Sequence, residues 1–249
     1  MPNCPIYHRK MANRFRMRQL QQKNTALAMT LRVGAALVVL FFACHVTRAQ
    51  GYRFGLSTNL AYDATWLPHY GWTSIPSGSL EVYPAQGHWT FGADVEWPMW
   101  HHEDTHRYLQ MNHVTLWSRR YFQPADFSSY RKWYLLGSVN ASRFGLGLDT
   151  KKGWQGEGLG ASIGGGYRVS LGKHFTLDFG LALGVYYAGY DPYVWGDDAT
   201  GWYYYDYDGD PAAFQKRNQR FFWAGPTRIY LNIGFDFWSR KRSGRSDSQ

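Results

Sequence analysis

Apolar and polar residues alternate with a period of two through most of the chain after residue 50. In TRIYLNIGFDFW, residues Thr227–Trp238, the odd positions hold Thr, Ile, Leu, Ile, Phe and Phe, and the even positions hold Arg, Tyr, Asn, Gly, Asp and Trp. This alternation predicts a β-strand with one apolar and one polar face. In a soluble sheet the apolar face points to a core, whereas in an outer-membrane barrel it points to lipid and the interior is polar. The segment fits both arrangements.

Eight segments with this pattern are separated by turn residues. They cover 52–64, 78–84, 88–100, 109–122, 131–148, 156–171, 174–187 and 227–238. Membrane barrels have eight or more strands and alternate short periplasmic turns with longer external loops. When the connections between consecutive segments are numbered along the chain, three of the four odd-numbered connections are longer than most of the even-numbered ones. The sequence therefore predicts an all-β fold: an eight-stranded antiparallel up-and-down transmembrane β-barrel over residues 50–238, closed by pairing of the first and last segments.

Charged residues occupy alternate positions inside these apolar strands. A narrow eight-stranded barrel would hold them in its interior, where acids and bases can pair. The predicted interior charge network consists of Arg53, Asp63, Asp94, Glu96, Arg120, Arg168, Asp178, Arg228 and Asp236. Together with the intervening glycines, these side chains would plug the barrel. The alternative is a lipocalin-like soluble barrel whose charged face meets water.

The first 49 residues have the composition of an export leader. Seven Lys and Arg residues precede the apolar run VGAALVVLFFACHV, residues 33–46, and a small residue, Ala49, follows in TRAQ. This order predicts a cleaved signal peptide, because the run is shorter than the roughly 20 apolar residues of a transmembrane helix. Cys44 as a lipidated first residue is the alternative.

The charge of the chain is concentrated at its ends. The formal net charge is +9, but residues 1–49 contain eight of the 27 basic residues and none of the 18 acidic ones. The tail 239–249 adds four basic residues and one acid. The segment between them is therefore close to neutral, which argues against nucleic acid as a partner. We expect the basic tail to be disordered in the periplasm.

Three stretches resemble one family. They are LSTNLAYDA at 56–64, RRYF at 119–122 and GLGASIGGGYRVSLGKHFTLDFGLALGVYYAGYDPY at 158–193. These residues resemble DUF3575, a family of uncharacterised proteins of Bacteroidetes-type bacteria. The resemblance implies an eight-stranded barrel in the outer membrane of a Gram-negative cell, and it brings no catalytic residue, activity or cofactor.

The long link before the last strand is rich in aromatic residues and carboxylates. We predict an external interaction loop over residues 191–226, with a surface protein or a glycan as its possible partner. The candidate contact residues are Trp195, Trp202, Tyr203, Tyr204, Tyr205 and Tyr207. The alternatives are hairpin strands that extend the barrel beyond the membrane, an interfacial aromatic belt, and calcium bound by DYDGD, although the twelve-residue loop of an EF-hand is absent.

A second predicted external loop, WHHEDTH at 100–106, contains metal-ligating residue types. Without fixed geometry and supporting contacts the imidazoles and carboxylates predict a hydrated loop rather than a zinc site. We therefore assign no metal, cofactor or catalytic residue. The expected function is structural or surface-interacting, with outer-membrane lipid as the surroundings. A lipid-modifying barrel enzyme and a soluble periplasmic ligand-binding barrel are the competing hypotheses.

Overall fold

The structure is a computed structural model that describes residues 52–67, 71–102, 107–126, 130–147, 152–195 and 205–237. Antiparallel β-strands account for most of this part of the chain, with one short α-helix and one 3-10 turn. The predicted leader and the basic tail lie outside the described residues. No helix in the described ranges is long and apolar enough to cross a membrane.

Twelve strands follow one another in these described ranges. They are β1 (Tyr52–Asn59), β2 (Thr65–Leu67), β3 (Gly71–Thr73), β4 (Ser77–Pro84), β5 (Gln86–Glu96), β6 (Met99–His102), β7 (Arg107–Asp126), β8 (Lys132–Gly147), β9 (Lys152–Leu171), β10 (Phe175–Trp195), β11 (Tyr205–Tyr207) and β12 (Gln219–Asp236). The helix α1 (Leu60–Asp63) follows β1, and the 3-10 turn Pro211–Ala213 precedes β12.

Eight of these strands form a closed ring of hydrogen-bonded neighbours. The order is β1, β4, β5, β7, β8, β9, β10 and β12, and β12 returns to β1. The closing register pairs Gly55 with Asp236 and Asn59 with Asn232. The predicted pairing of the first and last segments is therefore confirmed. The eight ring strands correspond one to one to the eight segments with alternating residues.

The first strand is shorter than the alternation predicted. β1 ends at Asn59, because the Asn59 side chain caps α1 by accepting a hydrogen bond from the Ala61 N–H at 3.1 Å. Asn at this position satisfies an N–H that the start of a helix leaves without a partner. Asp63 consequently lies on α1, not on a strand. It accepts hydrogen bonds from the hydroxyls of Thr58 and Ser77.

Other strand boundaries differ from those that the alternation of apolar and polar residues predicts. The predicted segment 88–100 is split at Trp97 and Pro98 into β5 and β6, since proline has no N–H for a strand ladder. β10 and β12 run far into the predicted loop 191–226, and Tyr190 pairs with Gln219. The hairpin between β9 and β10 is tight, with Gly172 at a φ of 72°.

The two faces of the ring strands differ in burial in the sense predicted for the polar-interior arrangement. On β12, Ile229 is 57% exposed whereas the next residue, Tyr230, is 3% exposed. Asn232 and Asp236 are also buried. On β10, Leu181 and Leu183 are exposed on either side of the buried Ala182. The polar face therefore lines the inside of the ring, and the large apolar side chains lie on its outside.

Candidate functional site

Ion pairs cross the interior of the ring in a first group, the Arg119–Arg168 cluster, which consists of Glu81, Arg119, Arg168 and Asp178. Arg119 of β7 reaches Glu81 Oε2 on β4 at 3.1 Å and Asp178 Oδ2 on β10 at 2.7 Å. Arg168 of β9 contacts the same Glu81 oxygen, and its Nη2 lies 3.8 Å from Asp178 Oδ2. Two arginines thus balance two carboxylates, and the contacts connect four different strands.

Hydroxyl groups and aromatic rings complete the surroundings of this cluster. Thr90 Oγ1 donates to Glu81 at 2.6 Å, and Tyr134 Oη donates to Asp178 at 2.5 Å. The Arg119 guanidinium lies 4.2 Å from the centre of the Trp117 ring and 4.7 Å from that of Tyr134. Buried charges are tolerated when such partners compensate the water they lose. Both carboxylates of the cluster are therefore paired with arginine, while the Nε atoms of Arg119 and Arg168 find no hydrogen-bond partner among the described residues.

A second group, the Arg228 cluster, consists of Asp94, Glu96, His113 and Arg228. Arg228 Nη2 lies 2.9 Å from Asp94 Oδ2 and also contacts Glu96. His113 Nδ1 lies 2.9 Å from Glu96 Oε2. Trp117 Nε1 donates to Asp94 Oδ1 at 2.7 Å. One arginine and one imidazole therefore face two carboxylates in this cluster.

Glycines allow interior aromatic rings to lie flat against neighbouring strands. A Cβ added at Gly92 would lie 2.2 Å from the Trp117 ring, and one at Gly166 would lie 2.3 Å from Tyr134 Oη. The rings therefore occupy the space above these glycines. This explains physically why glycine recurs at inward positions between charged residues. Interior aromatic rings and glycines therefore pack against one another inside the ring.

Asp191 anchors the segment that precedes β12. Its carboxylate is 0% exposed and accepts from the backbone N–H groups of Arg217 at 3.2 Å and Asn218 at 2.9 Å. The Arg217 guanidinium adds an ion pair at 3.1 Å. Burial alone would raise the pKa of Asp191, but these hydrogen bonds and the Arg217 charge hold the pKa below its ordinary value. Arg217 itself has a φ of 57°, so the anchored turn is strained.

Large aromatic residues are exposed at the end of the ring where Asp191 lies. Phe221, Phe222 and Trp223 of β12 are exposed, although they belong to a strand paired with β10. Tyr207, a predicted contact residue, is half-buried and packs on Phe214 with ring centres 5.2 Å apart. The side chains of the other predicted contact residues, Trp195, Trp202, Tyr203, Tyr204 and Tyr205, lie outside the described part.

Six predicted members of the interior network are buried inside the ring. These are Asp94, Glu96, Arg168, Asp178, Arg228 and Asp236. Arg53 is half-buried, and Asp63 lies on α1. The prediction of Arg120 as an interior residue is wrong. Arg120 is exposed, whereas its neighbour Arg119 is 1% exposed.

Sequence reasoning missed Glu81, Arg119 and His113. Glu81 lies between Leu80 and Val82 in a predicted strand, so the alternation itself indicates that Glu81 belongs to the polar face. For the Arg119–Arg120 pair, the local pattern is compatible with either arginine on the interior face. His113 lies in the predicted segment 109–122, where the alternation is less regular. Among the described residues no group of three or more His, Cys, Asp and Glu side chains is arranged to hold a metal ion. The side chains of His101, His102, Glu103, Asp104 and His106 are not described.

The described chain is thus an all-β protein with a ring of eight antiparallel strands, a charged interior and an apolar exterior. By sequence it belongs to the family DUF3575, described as proteins of unknown function, with residues 35–237 matched. No curated protein and no solved structure matches the chain significantly.

Proposed function

We propose that the protein is an outer-membrane β-barrel whose eight ring strands cross the membrane, and that it acts as a structural or surface-interaction protein. The observation that carries this proposal is the inverted burial pattern. Charged residues such as Arg119 and Asp178 are buried inside, while Ile163 and Leu159 are more than 60% exposed outside. Water disfavours so extensive an apolar exterior, whereas hydrocarbon favours it.

Closure of the ring supports the same proposal. A segment inside a bilayer must satisfy every backbone N–H and C=O within the protein, which sheets achieve only by closing. β12 pairs with β10 on one side and β1 on the other, so the ring has no gap in its order of pairing. β9 and β10 contain 20 and 21 residues. Since about 9–11 residues cross a bilayer, both strands would extend beyond it.

The lengths of the connections suggest an orientation. One end of the ring carries the single-residue link Ala85 and the tight Gly172–His174 turn. The other end carries α1, the β2–β3 hairpin and the segment anchored by Asp191. Short turns face the periplasm in such barrels, so the end with the longer connections would face the outside.

Cell fractionation combined with a heat-modifiability gel tests this function. We expect the protein in the outer-membrane fraction, with different mobility in unheated and boiled samples, because a closed barrel resists detergent until it is heated. Mass spectrometry of the N-terminus should show removal of the leader near Ala49. Recovery in the soluble periplasmic fraction with no mobility difference would contradict the proposal and favour the soluble barrel.

A further inference from the structure

β12 is paired much farther on one side than on the other. β10 pairs with β12 from Gln219 to Phe235. On the opposite side, β1 pairs only with Asn232–Asp236 of β12. Among the strands that the structure describes, none pairs with this second side of β12 before Asn232. The part of β12 before Asn232 is therefore an edge strand. The sheet continues from it on one side only, through β10, β9 and β8.

The part of this edge nearest the ring has its own protection. Directly beyond the end of β1, Asn59 Nδ2 donates to the Ile229 C=O at 2.7 Å, and the Leu231 N–H donates to Asn59 Oδ1 at 3.2 Å. Farther along, the register with β10 shifts beside Pro226, which has no N–H to offer. The Pro226 C=O accepts from Trp223 Nε1 at 3.1 Å. Caps and an irregularity of this kind block strand addition.

The five residues beyond this protected part, Arg220–Ala224, have different properties. They are regularly paired with β10, between Val185 and Gly189. Their side chains are exposed on both faces of the sheet, with Phe222 at 64% and Trp223 at 45%. A natural edge strand is usually shielded by a bulge, a proline or an inward charge. This segment instead offers backbone groups flanked by aromatic rings.

The charged residues of the edge segment itself are all basic, although the exposed Glu157 carboxylate lies 3.8 Å from Arg217 Nε. The stretch 215–224, QKRNQRFFWA, contains Lys216, Arg217 and Arg220 and no acidic residue. Arg217 is paired with Asp191, whereas Lys216 and Arg220 are exposed. An incoming strand with carboxylate side chains would therefore be attracted to this edge, and a basic one repelled.

We propose that the Arg220–Ala224 edge binds an extended, acidic polypeptide segment by β-strand addition. Backbone hydrogen bonds to β12 supply the affinity, while Phe221 and Trp223 on one face and Phe222 on the other contact alternate side chains of the added strand. This proposal names a partner class for the surface-interaction function. It rests on that function, because the edge must lie outside the cell to meet such a partner.

The test uses the full-length protein purified in detergent micelles and a displayed library of random twelve-residue peptides. Peptides are selected on the protein after depletion on a double variant, Arg220→Glu with Phe222→Ser. We expect enriched peptides to be acidic, and to bind the double variant at least about tenfold more weakly. Trp72→Ser, which removes an exposed aromatic residue on the β2–β3 hairpin, is the matched control and should bind as the unaltered protein does.

A second measurement separates strand addition from attraction by charge alone. A selected peptide is synthesised with N-methyl groups on alternate backbone nitrogens, which removes hydrogen bonds on one edge and keeps every side chain. We expect about a tenfold loss of affinity from one of the two N-methylation registers. Equal binding of all three peptides, or no enrichment over the double variant, would overturn the proposal.

Two further outcomes identify other occupants and also overturn it. Self-association that the double variant abolishes would show that the edge pairs with a second copy. Weaker insertion of the double variant into phosphatidylcholine vesicles, without any peptide binding by the unaltered protein, would assign the aromatic residues to lipid. The heat-modifiability gel is run on every variant. An assembled barrel without peptide binding contradicts the edge assignment only, whereas loss of the mobility shift in the unaltered protein contradicts the barrel itself.

Discussion

Arg119 and Arg120 are consecutive residues of β7 that lie on opposite faces of the ring. Arg119 bridges Glu81 and Asp178 inside, with side-chain contacts of 3.1 and 2.7 Å, whereas Arg120 is exposed outside. The pair therefore provides two substitutions of identical chemistry in opposite surroundings.

Replacing Arg119 with Met should destabilise the protein strongly. The substitution leaves the buried carboxylates of Glu81 and Asp178 with Arg168 as their remaining arginine, and removing one partner of a buried ion pair costs about 3–5 kcal/mol. Arg120→Met should not destabilise the protein, because Arg120 lies on the outside of the ring, where lipid disfavours a charged side chain and accepts an apolar one. Urea unfolding in lipid vesicles measures both. Equal effects of the two substitutions would show that the assignment of faces in β7 is wrong.

The contrast between these arginines also shows what the sequence could predict. A period of two defines two faces for each strand, and the apolar residues of β10 and β12 identify the outer one. In the RRYF stretch the alternation is weak, and a change of one residue exchanges the faces. The local pattern therefore predicts the wrong arginine of the pair, Arg120, for the interior. Glu81 and Arg168 meet because β4 and β9 face each other across the ring, which no local pattern contains.

The length of the loop between β10 and β12 could not be predicted for a related reason. The aromatic residues Phe221–Trp223 break the apolar alternation, because both faces of β12 are exposed there. A strand that leaves the ring has no buried face to impose a pattern. The extension of β10 and β12 is visible only in their mutual pairing, from Gly184 with Gly225 to Tyr190 with Gln219.

Arg228 and Glu96 should be energetically coupled. Arg228→Met leaves Asp94 and Glu96 buried without their arginine, so we expect a loss of about 3–5 kcal/mol in the free energy of unfolding. Adding Glu96→Gln should restore part of it, with a coupling energy of about 0.5–3 kcal/mol in a double-mutant cycle. Strictly additive effects would contradict the contact. The exposed residue Asp210, changed to Asn, serves as a control that should not couple to Arg228.

Gly92 and Gly137 should respond differently to alanine. A Cβ at Gly92 would lie 2.2 Å from the Trp117 ring, so Gly92→Ala should cost about 1–3 kcal/mol through overpacking. A Cβ at Gly137 meets no atom within 4 Å. Gly137→Ala should therefore be neutral or slightly stabilising, because alanine restricts the unfolded chain. The measurement is again urea unfolding, and the opposite ranking would refute the packing of Trp117.

Asp191→Ala should release the segment that precedes β12. The substitution removes the acceptor of the Arg217 and Asn218 N–H groups, so trypsin should cleave after Lys216 and Arg217 faster than in the unaltered protein. Mass spectrometry of the fragments measures the rates. Asp208→Ala, at an exposed site, should leave them unchanged. Unchanged cleavage in Asp191→Ala would mean that other contacts hold the segment.

The same anchor should weaken in acid. Because the pKa of Asp191 is lowered in the folded protein, its stabilisation is fully present above the unfolded pKa of about 3.9. The contribution is lost as the pH falls through the lower folded value. Hydrogen exchange of residues 208–218, followed from pH 5 downward, should show loss of protection below about pH 4. Protection that Asp191→Ala does not change at pH 5 would contradict this assignment.

The accessibility of spin labels to oxygen and to a nickel complex tests the proposed lipid-facing exterior most directly. Single cysteines at Leu135, Ile163, Leu181 and Ile229, in a background with Cys4 and Cys44 replaced by Ala, carry a nitroxide on the outside of the ring in lipid vesicles. A label at Trp72 is the water-exposed control. We expect the four ring labels to collide more with oxygen, which dissolves in lipid, than with a water-soluble nickel complex, and the Trp72 label to show the reverse. Four ring labels that respond like the Trp72 label would contradict the membrane-spanning barrel.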